Sequence, residues 1–154
     1  MKKVTFYRLN KKTIPNWLIA MEQLAYHLVV INWRAGKRIL IACESNDQAK
    51  KIDHGLWAKT PTAFIPHNLV GEGPKDGAPV EICWPHQYNY TPRDLIINLL
   101  PKCTDFIFSF NEIIDFIPDE EFFKQLARNR YKAYRNVGFQ LTITKPTIAY
   151  LSKV

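Results

Sequence analysis

The feature that most constrains the fold is a short, nearly continuous apolar run at residues 38–43, which directly follows the pattern of an amphipathic helix. Residues 4–9 mix β-branched and aromatic side chains, and apolar residues then recur every three or four positions over residues 16–33. A strand that is apolar at nearly every position is covered on both faces, as parallel strands in α/β sheets are. A further helix begins at the capping-box pair Ser45 and Gln48. The order strand, helix, strand, helix therefore predicts an α/β domain with a parallel sheet and right-handed crossovers.

The second half of the chain returns to this pattern after a long interruption. Six of the ten prolines fall within residues 60–92, which predicts a long structured loop with at most short strands, near Phe64 and at residues 80–83. A loop of this length inside a compact domain is usually functional. Residues 94–99 and 112–117 again read as strands. A last helix is predicted up to residue 136, with three carboxylates in its first turn and a glycine closing it: Asp119, Glu120, Glu121 and Gly138.

Length and charge narrow the class of protein. The 154 residues suit a single domain. The 21 Lys and Arg against 14 Asp and Glu give a net charge of +7, which favours an anionic partner without choosing among nucleic acid, an acidic peptide and a phosphorylated ligand. Three widely spaced cysteines, Cys43, Cys83 and Cys103, argue against a disulfide framework. With no apolar run long enough for a membrane span, these observations predict a soluble cytoplasmic domain.

Motifs that would indicate enzymatic chemistry are weak. The stretch from Gly71 to Gly73 lacks the third glycine of a dinucleotide-binding loop and is followed by a proline. The histidines and cysteines form no CxxC, HxxxH or HExxH, so we expect no metal and no cofactor, although a metal site assembled only in three dimensions stays open. No nucleophile elbow is present, so we expect no catalytic residue.

The most informative segment is the last helix. From Phe122 to the end of the chain there are seven Lys or Arg residues and no Asp or Glu. Four of them are spaced by four, four and three residues, which places them on one helical face: Lys124, Arg128, Lys132 and Arg135. Tyr131 lies along the edge of this face, and the opposite side is expected to carry the core contacts Phe123, Leu126, Ala127 and Tyr134, with the stem of Arg130 among them. Spacing alone does not decide between a solvated basic face and a site for an acidic peptide, a carboxylate terminus or phosphates.

A second segment is apolar and braced by prolines. Leu56 and Trp57 are followed by a loop containing Phe64, Ile65 and Leu69. Large apolar residues in such a loop either plug a core or form a docking surface. The residues alone favour the plug, because exposed aromatic side chains are usually avoided.

Several segments together resemble the chi subunits of bacterial DNA polymerase III, which belong to the clamp-loader assembly. The similarity is carried by TFY at residues 5–7, GKRILIACE at 36–44, LW at 56–57, FIPHNL at 64–69, GEGP at 71–74, GAPVEI at 77–82, residues 94–99, QLAR at 125–128, RYKAYR at 130–135 and GF at 138–139. It spans the chain to about residue 141. The remaining residues, 142–154, match nothing in the family and form a C-terminal extension of unknown role, which we expect to cover part of the site on the last helix.

The resemblance implies a non-enzymatic, Rossmann-like subunit that binds no nucleotide, with a mostly parallel sheet flanked by helices. It implies pairing with the psi subunit, which tethers chi to the clamp loader, and binding of the acidic C-terminal tail of single-stranded DNA-binding protein, without direct binding of nucleic acid. Matched by position, the tail site comprises Ile117, Lys124, Arg128, Tyr131 and Lys132. The psi-binding residues are Trp57, Phe64, Ile65, Pro66, His67 and Leu69. The alternatives are a small Rossmann-like enzyme that binds a nucleotide and direct nucleic-acid binding through the basic helix.

Overall fold

A computed structural model of the chain describes residues 2–9, 17–59, 64–73, 77–85 and 93–146. Within these ranges the α-helices are α1 (Trp17–Arg34), α2 (Asn46–Lys59) and α3 (Glu121–Val137). The strands are β1 (Lys3–Arg8), β2 (Ile39–Ala42), β3 (His67–Leu69), β4 (Val80–Cys83), β5 (Leu95–Asn98), β6 (Glu112–Ile117) and β7 (Gln140–Thr144). Residues 60–63, 74–76 and 86–92 of the predicted loop, and residues 147–154 of the predicted extension, lie outside the described residues.

All described strands form one sheet in the order β3-β4-β2-β5-β6-β1-β7, and every adjacent pair is parallel. The strands β2, β4 and β5 are buried at every position, as the apolar runs at residues 38–43 and 94–99 predict for β2 and β5. One buried cluster packs α1 and α2 on one face of the sheet, and a second packs α3 on the other. The prediction of a Rossmann-like α/β domain is confirmed, and the sheet is parallel throughout the described residues.

The predicted helix ends are also confirmed. Gly36 has a φ of 85° and its N–H donates to the carbonyl of Trp33 at 2.9 Å. Gly138 has a φ of 105° and its N–H bonds the carbonyls of Tyr134 and Arg135, as in a left-handed C-terminal cap. At the start of α2, Ser45 Oγ accepts the N–H of Gln48 at 3.1 Å. Local signals in the sequence therefore mark the C-terminal ends of α1 and α3 and the start of α2.

Two details differ from the sequence-based expectation. The helix α3 begins at Glu121 after an extended Glu120, so Asp119 and Glu120 precede the first turn rather than occupying it. The strand β7 was not predicted, because it forms a half-exposed edge of the sheet and lacks an apolar run. It crosses the expected boundary between residues 141 and 142, so residues 142–144 belong to the sheet.

No helix within the described ranges is both long and apolar enough to span a bilayer.

Candidate functional site

A groove forms where α3 crosses the sheet. The helix leaves the end of β6, passes over β1 and leads into β7, so it covers the strand that lies between them. Phe6 in β1 packs against Tyr131 and Tyr134 of α3, with ring centroids 5.7 Å apart in each pair. Because β1, β6 and β7 are parallel, their carboxyl ends meet at the same edge, which is where α/β sheets usually bind ligands.

The groove between α3 and these strand ends has a volume of about 980 Å³. We call it the basic groove. It is lined by Phe6, Arg8, Leu9, Ile117, Pro118, Asp119, Lys124, Ala127, Arg128, Tyr131, Lys132, Arg135, Ile143, Lys145 and Pro146. Its lining therefore combines apolar side chains from strand ends with cationic side chains from both the helix and the strands.

The lining carries six Lys or Arg side chains and one carboxylate, Asp119. Lys124 pairs with Asp119 at 3.0 Å, and Arg128 with Glu121 at 3.4 Å. The side chains of the remaining four cations make no ion pair or hydrogen bond to a described residue: Arg8, Lys132, Arg135 and Lys145. A concave surface with this charge excess concentrates anions near it.

The five residues expected to bind the tail all line this groove: Ile117, Lys124, Arg128, Tyr131 and Lys132. Sequence reasoning missed the other wall, which contains Arg8 at the end of β1 and Ile143 and Lys145 at the end of β7. The available signal for Arg8 is its place near the carboxyl end of a strand that is predicted to belong to a parallel sheet. Lys145 could not be placed without the unpredicted strand β7.

A buried charge network fixes α3 behind the groove. Arg130 donates from Nε to both carboxylate oxygens of Asp115 in β6, and its other nitrogens donate to the carbonyls of Pro101 at 2.8 Å and Phe116 at 2.9 Å. The hydroxyl of Tyr134 donates to the same carboxylate at 2.8 Å. Burial alone disfavours the Arg130 cation, but the charge and hydrogen bonds of Asp115 outweigh it and the pKa of Arg130 is raised. The helix pattern predicts only that the apolar stem of Arg130 packs in the core, and it does not predict the pair with Asp115.

The core contacts expected from α3 are confirmed for Ala127 and Tyr134, which are buried, whereas Phe123 and Leu126 are only partly buried. Phe122, next to them, is exposed and packs edge-on against Phe123 at 5.1 Å between centroids.

The proline-braced loop divides into buried and exposed residues. Ile65 and Leu69 are buried and His67 is held inside, its Nδ1 donating to the carbonyl of Ile65 at 2.8 Å. The core-plug interpretation therefore holds for Ile65 and Leu69. It is wrong for Trp57 and Phe64, whose side chains are 52% and 72% exposed.

Trp57 and Phe64, with the exposed Pro66 beside them, form what we call the apolar patch. The two rings pack edge to face at 5.7 Å between centroids, and Trp57 also packs at a tilt against the His67 ring, with 4.7 Å between centroids. Phe64 has a φ of 46°, a conformation rarely adopted by residues other than glycine. The patch lies by β3, at the edge of the sheet opposite β7 and the basic groove. The two surfaces are therefore well separated.

Groups that could support metal or thiol chemistry are not assembled in the described part of the chain. No set of three or more His, Cys, Asp or Glu side chains there could hold a metal ion. Burial raises the pKa of Cys83 to about 12 and that of Cys103 to about 11, which suppresses the reactive thiolate. Gly71 and Gly73 both have positive φ and form a turn after β3 rather than a loop that runs into a helix.

Comparison with known proteins identifies close relatives. The sequence profile of the family described as DNA polymerase III chi subunit, HolC, matches residues 1–142. The chain is 50% identical over 141 residues to DNA polymerase III subunit chi of Escherichia coli (strain K12), covering 92% of this chain and 96% of the relative. It is 43% identical to the subunit chi of Haemophilus influenzae, covering 92% and 95% of the two chains.

More distant structures share the fold alone. The crystal structure of T4 UvsW superposes with a TM-score of 0.64 at 7% identity, covering 94% of this chain and 41% of that one. Saccharomyces cerevisiae Dbp5 bound to RNA and ADP BeF3 superposes with a TM-score of 0.56 at 12% identity, with the same coverage. At such identities the likeness describes the path of the backbone and carries no argument about ligands.

Proposed function

Because this chain belongs to the DNA polymerase III chi subunit family, we propose that it is a non-enzymatic adaptor of the replicative polymerase assembly. In this proposal the basic groove binds the acidic C-terminal tail of single-stranded DNA-binding protein. The apolar patch pairs with the psi subunit and so connects the chain to the clamp loader. The adaptor thereby links the polymerase to single strands coated with that protein.

The observation that carries the proposal is the composition of the basic groove. Its six cations suit a peptide with several carboxylates, and its apolar lining suits a hydrophobic side chain at the end of that peptide. Arg128 is best suited to a terminal carboxylate, because its planar fork can bind both oxygens where a lysine offers a point charge. Ile117 and Tyr131 supply an apolar wall beside it.

The ion pairs that now involve the groove are easily exchanged. The side chains of Arg128 and Glu121 are largely exposed, and those of Lys124 and Asp119 are partly exposed. Exposed pairs of this kind contribute about 0–1 kcal/mol. An incoming carboxylate can therefore replace Glu121 or Asp119 at little cost in folding stability.

The apolar patch supports the second half of the proposal. Two exposed aromatic rings next to each other are unusual on a surface that faces only water, and aromatic residues are enriched at protein interfaces. The left-handed backbone at Phe64 holds its ring outward, and such conformations cluster at functional sites. In this proposal the inward-facing side chains of the loop act indirectly, by holding the loop so that Phe64 and Pro66 are exposed; they are those of Ile65, His67 and Leu69.

Affinity capture from a bacterial lysate tests both halves together. The tagged wild-type chain should retain psi and single-stranded DNA-binding protein. Arg128→Ala should retain psi and lose single-stranded DNA-binding protein. Phe64→Ala should retain single-stranded DNA-binding protein and lose psi. Loss of both partners in either variant, or capture of neither by the wild type, would contradict the proposal. In a gel-shift assay at physiological salt, the purified chain should not retard a bare single strand.

A further inference from the structure

The ends of β1 and β7 carry a second set of cations that the helix pattern does not include. Phe6 and Arg8 alternate with Tyr7, so both face the side of the sheet covered by α3. Ile143 and Lys145 have the same relation in and just after β7, and both also line the basic groove. Two parallel rows, each an apolar residue followed by a cation, therefore face the helix.

The two cations lie at neighbouring positions. In the parallel register Phe6 pairs with Ile143 and Tyr7 with Thr144, the last pair of the two strands, and Arg8 and Lys145 are the residues that directly follow. Adjacent strands are about 4.8 Å apart, so two like charges next to the last paired position repel each other. Neither side chain has a carboxylate partner among the described residues. Within the described ranges, therefore, nothing neutralises this pair, and an anion in the groove would do so.

We propose that Arg8 and Lys145 form a second cationic wall, which binds the acidic side chains that precede the C-terminal residue of the tail. The inference rests on the proposed function of the basic groove and adds the path of the peptide through it. The terminal carboxylate lies against Arg128 on α3, and the chain then crosses the groove so that its upstream carboxylates reach the strand wall. The tail is held between helix and sheet rather than along the helix alone.

The chemistry of the groove favours a peptide over nucleic acid. The lining of the groove also contains apolar side chains from the strands, among them Phe6, Ile117 and Ile143. A nucleic-acid strand needs a track of phosphate contacts with aromatic rings stacked on bases, and Tyr131 packs its ring against Phe6. An acidic peptide with one apolar end uses both the cations and the apolar lining.

Two labelled synthetic peptides test the inference by fluorescence anisotropy. The first has a run of aspartates followed by a C-terminal phenylalanine with a free carboxylate, and the second has asparagine in place of every aspartate. Arg8→Ala and Lys145→Ala should each weaken binding of the aspartate peptide by about two- to fivefold, the range of exposed ion pairs. Neither should change the affinity for the asparagine peptide. Lys50→Ala, which removes an exposed lysine on α2 outside the groove, is the matched control and should change nothing.

The outcomes distinguish failure of the second cationic wall from failure of the proposed function. If the wild type binds the aspartate peptide and both variants bind it equally well, the second wall is wrong and the proposed function stands. Equal losses for both peptides would also overturn the second wall, since the effect would not depend on upstream carboxylates. If the wild type binds neither peptide, both the second wall and the proposed function are wrong. A bare oligonucleotide that displaces the peptide from the wild type, but not from the double variant, would reassign Arg8 and Lys145 to nucleic acid.

Discussion

Arg130 and Asp115 meet behind the basic groove, where Nε of Arg130 donates to both oxygens of the carboxylate at 3.2 and 3.0 Å. The residues are 7% and 1% exposed, and they join α3 to β6. Tyr134 and Asn98 also donate to this carboxylate, at 2.8 and 3.4 Å. This pair therefore ties the helix that carries the groove cations to the sheet.

Removing one member of the pair should destabilise the fold. Arg130→Met keeps much of the stem but leaves Asp115 buried without its cation, and breaking such a pair typically costs about 3–5 kcal/mol. Urea unfolding followed by circular dichroism measures the change. Arg128→Met, on the exposed face of the same helix, should cost less than about 0.5 kcal/mol. Equal effects of the two substitutions would show that Arg130 does not hold the helix.

Substitution of Arg128 should weaken binding of the acidic tail without unfolding the chain. Arg128→Ala removes a charged hydrogen bond and should cost about 1.5–3 kcal/mol of binding free energy. Arg128→Lys should recover only part of the loss, because lysine lacks the planar fork. A labelled tail peptide titrated at two salt concentrations measures both effects, and affinity should fall with salt since the groove is exposed. Unchanged affinity in Arg128→Ala would exclude the groove as the tail site.

The two neighbours Phe64 and Ile65 should behave in opposite ways. Phe64 is exposed, so Phe64→Ala should leave the free energy of unfolding nearly unchanged while weakening the psi complex by about 2 kcal/mol or more. Ile65 is buried, so Ile65→Ala should destabilise the fold by about 2–5 kcal/mol. Thermal unfolding and titration with purified psi measure the two quantities. A loss of stability in Phe64→Ala would restore the core-plug interpretation for that ring.

The contact between α1 and α2 depends on the absence of a side chain at Gly55. A Cβ at this position would overlap the Tyr26 ring and its hydroxyl. Gly55→Ala should therefore destabilise the protein by about 1–3 kcal/mol, although alanine is otherwise the better helix former by about 1 kcal/mol. Adding Tyr26→Leu should restore part of the stability, and a gain in the melting temperature of Gly55→Ala alone would contradict the packing.

Stability should fall in alkaline solution. Burial, with the nearby charge of Asp115, raises the pKa of Tyr134 well above its ordinary value of 10.0, and burial with Glu22 raises the pKa of Tyr26 to about 12. Both phenols stay neutral in the fold while the unfolded chain ionises, so their contribution is complete below pH 10 and is lost as the pH rises above it. Each phenol adds a slope of up to about 1.4 kcal/mol per pH unit. Urea midpoints across this range measure the slope, and Tyr26→Phe should reduce it; a flat profile would contradict the burial.

The predictable parts of the fold are those whose signals are local. The strands β2, β5 and β6 are predictable because burial on both faces makes most of their residues apolar, and Gly138 is predictable because a left-handed cap favours glycine. The edge strand β7 has polar residues at most positions and takes its structure from pairing with β1. Arg130 and Asp115 were missed for a related reason: a pair formed across fifteen residues leaves no periodic trace. One wall of the groove follows from helix spacing, whereas the other exists only through strand register.

The position of β1 between β6 and β7 governs when the protein can finish folding. Lys3 pairs with Glu112 on one side and with Gln140 on the other. Both neighbours of β1 therefore lie more than 100 residues further along the chain, and such long-range pairing makes folding slow. Both walls of the basic groove border this strand. The groove therefore forms only after the residues of β7 have been synthesised, because one of its walls contains Ile143 and Lys145.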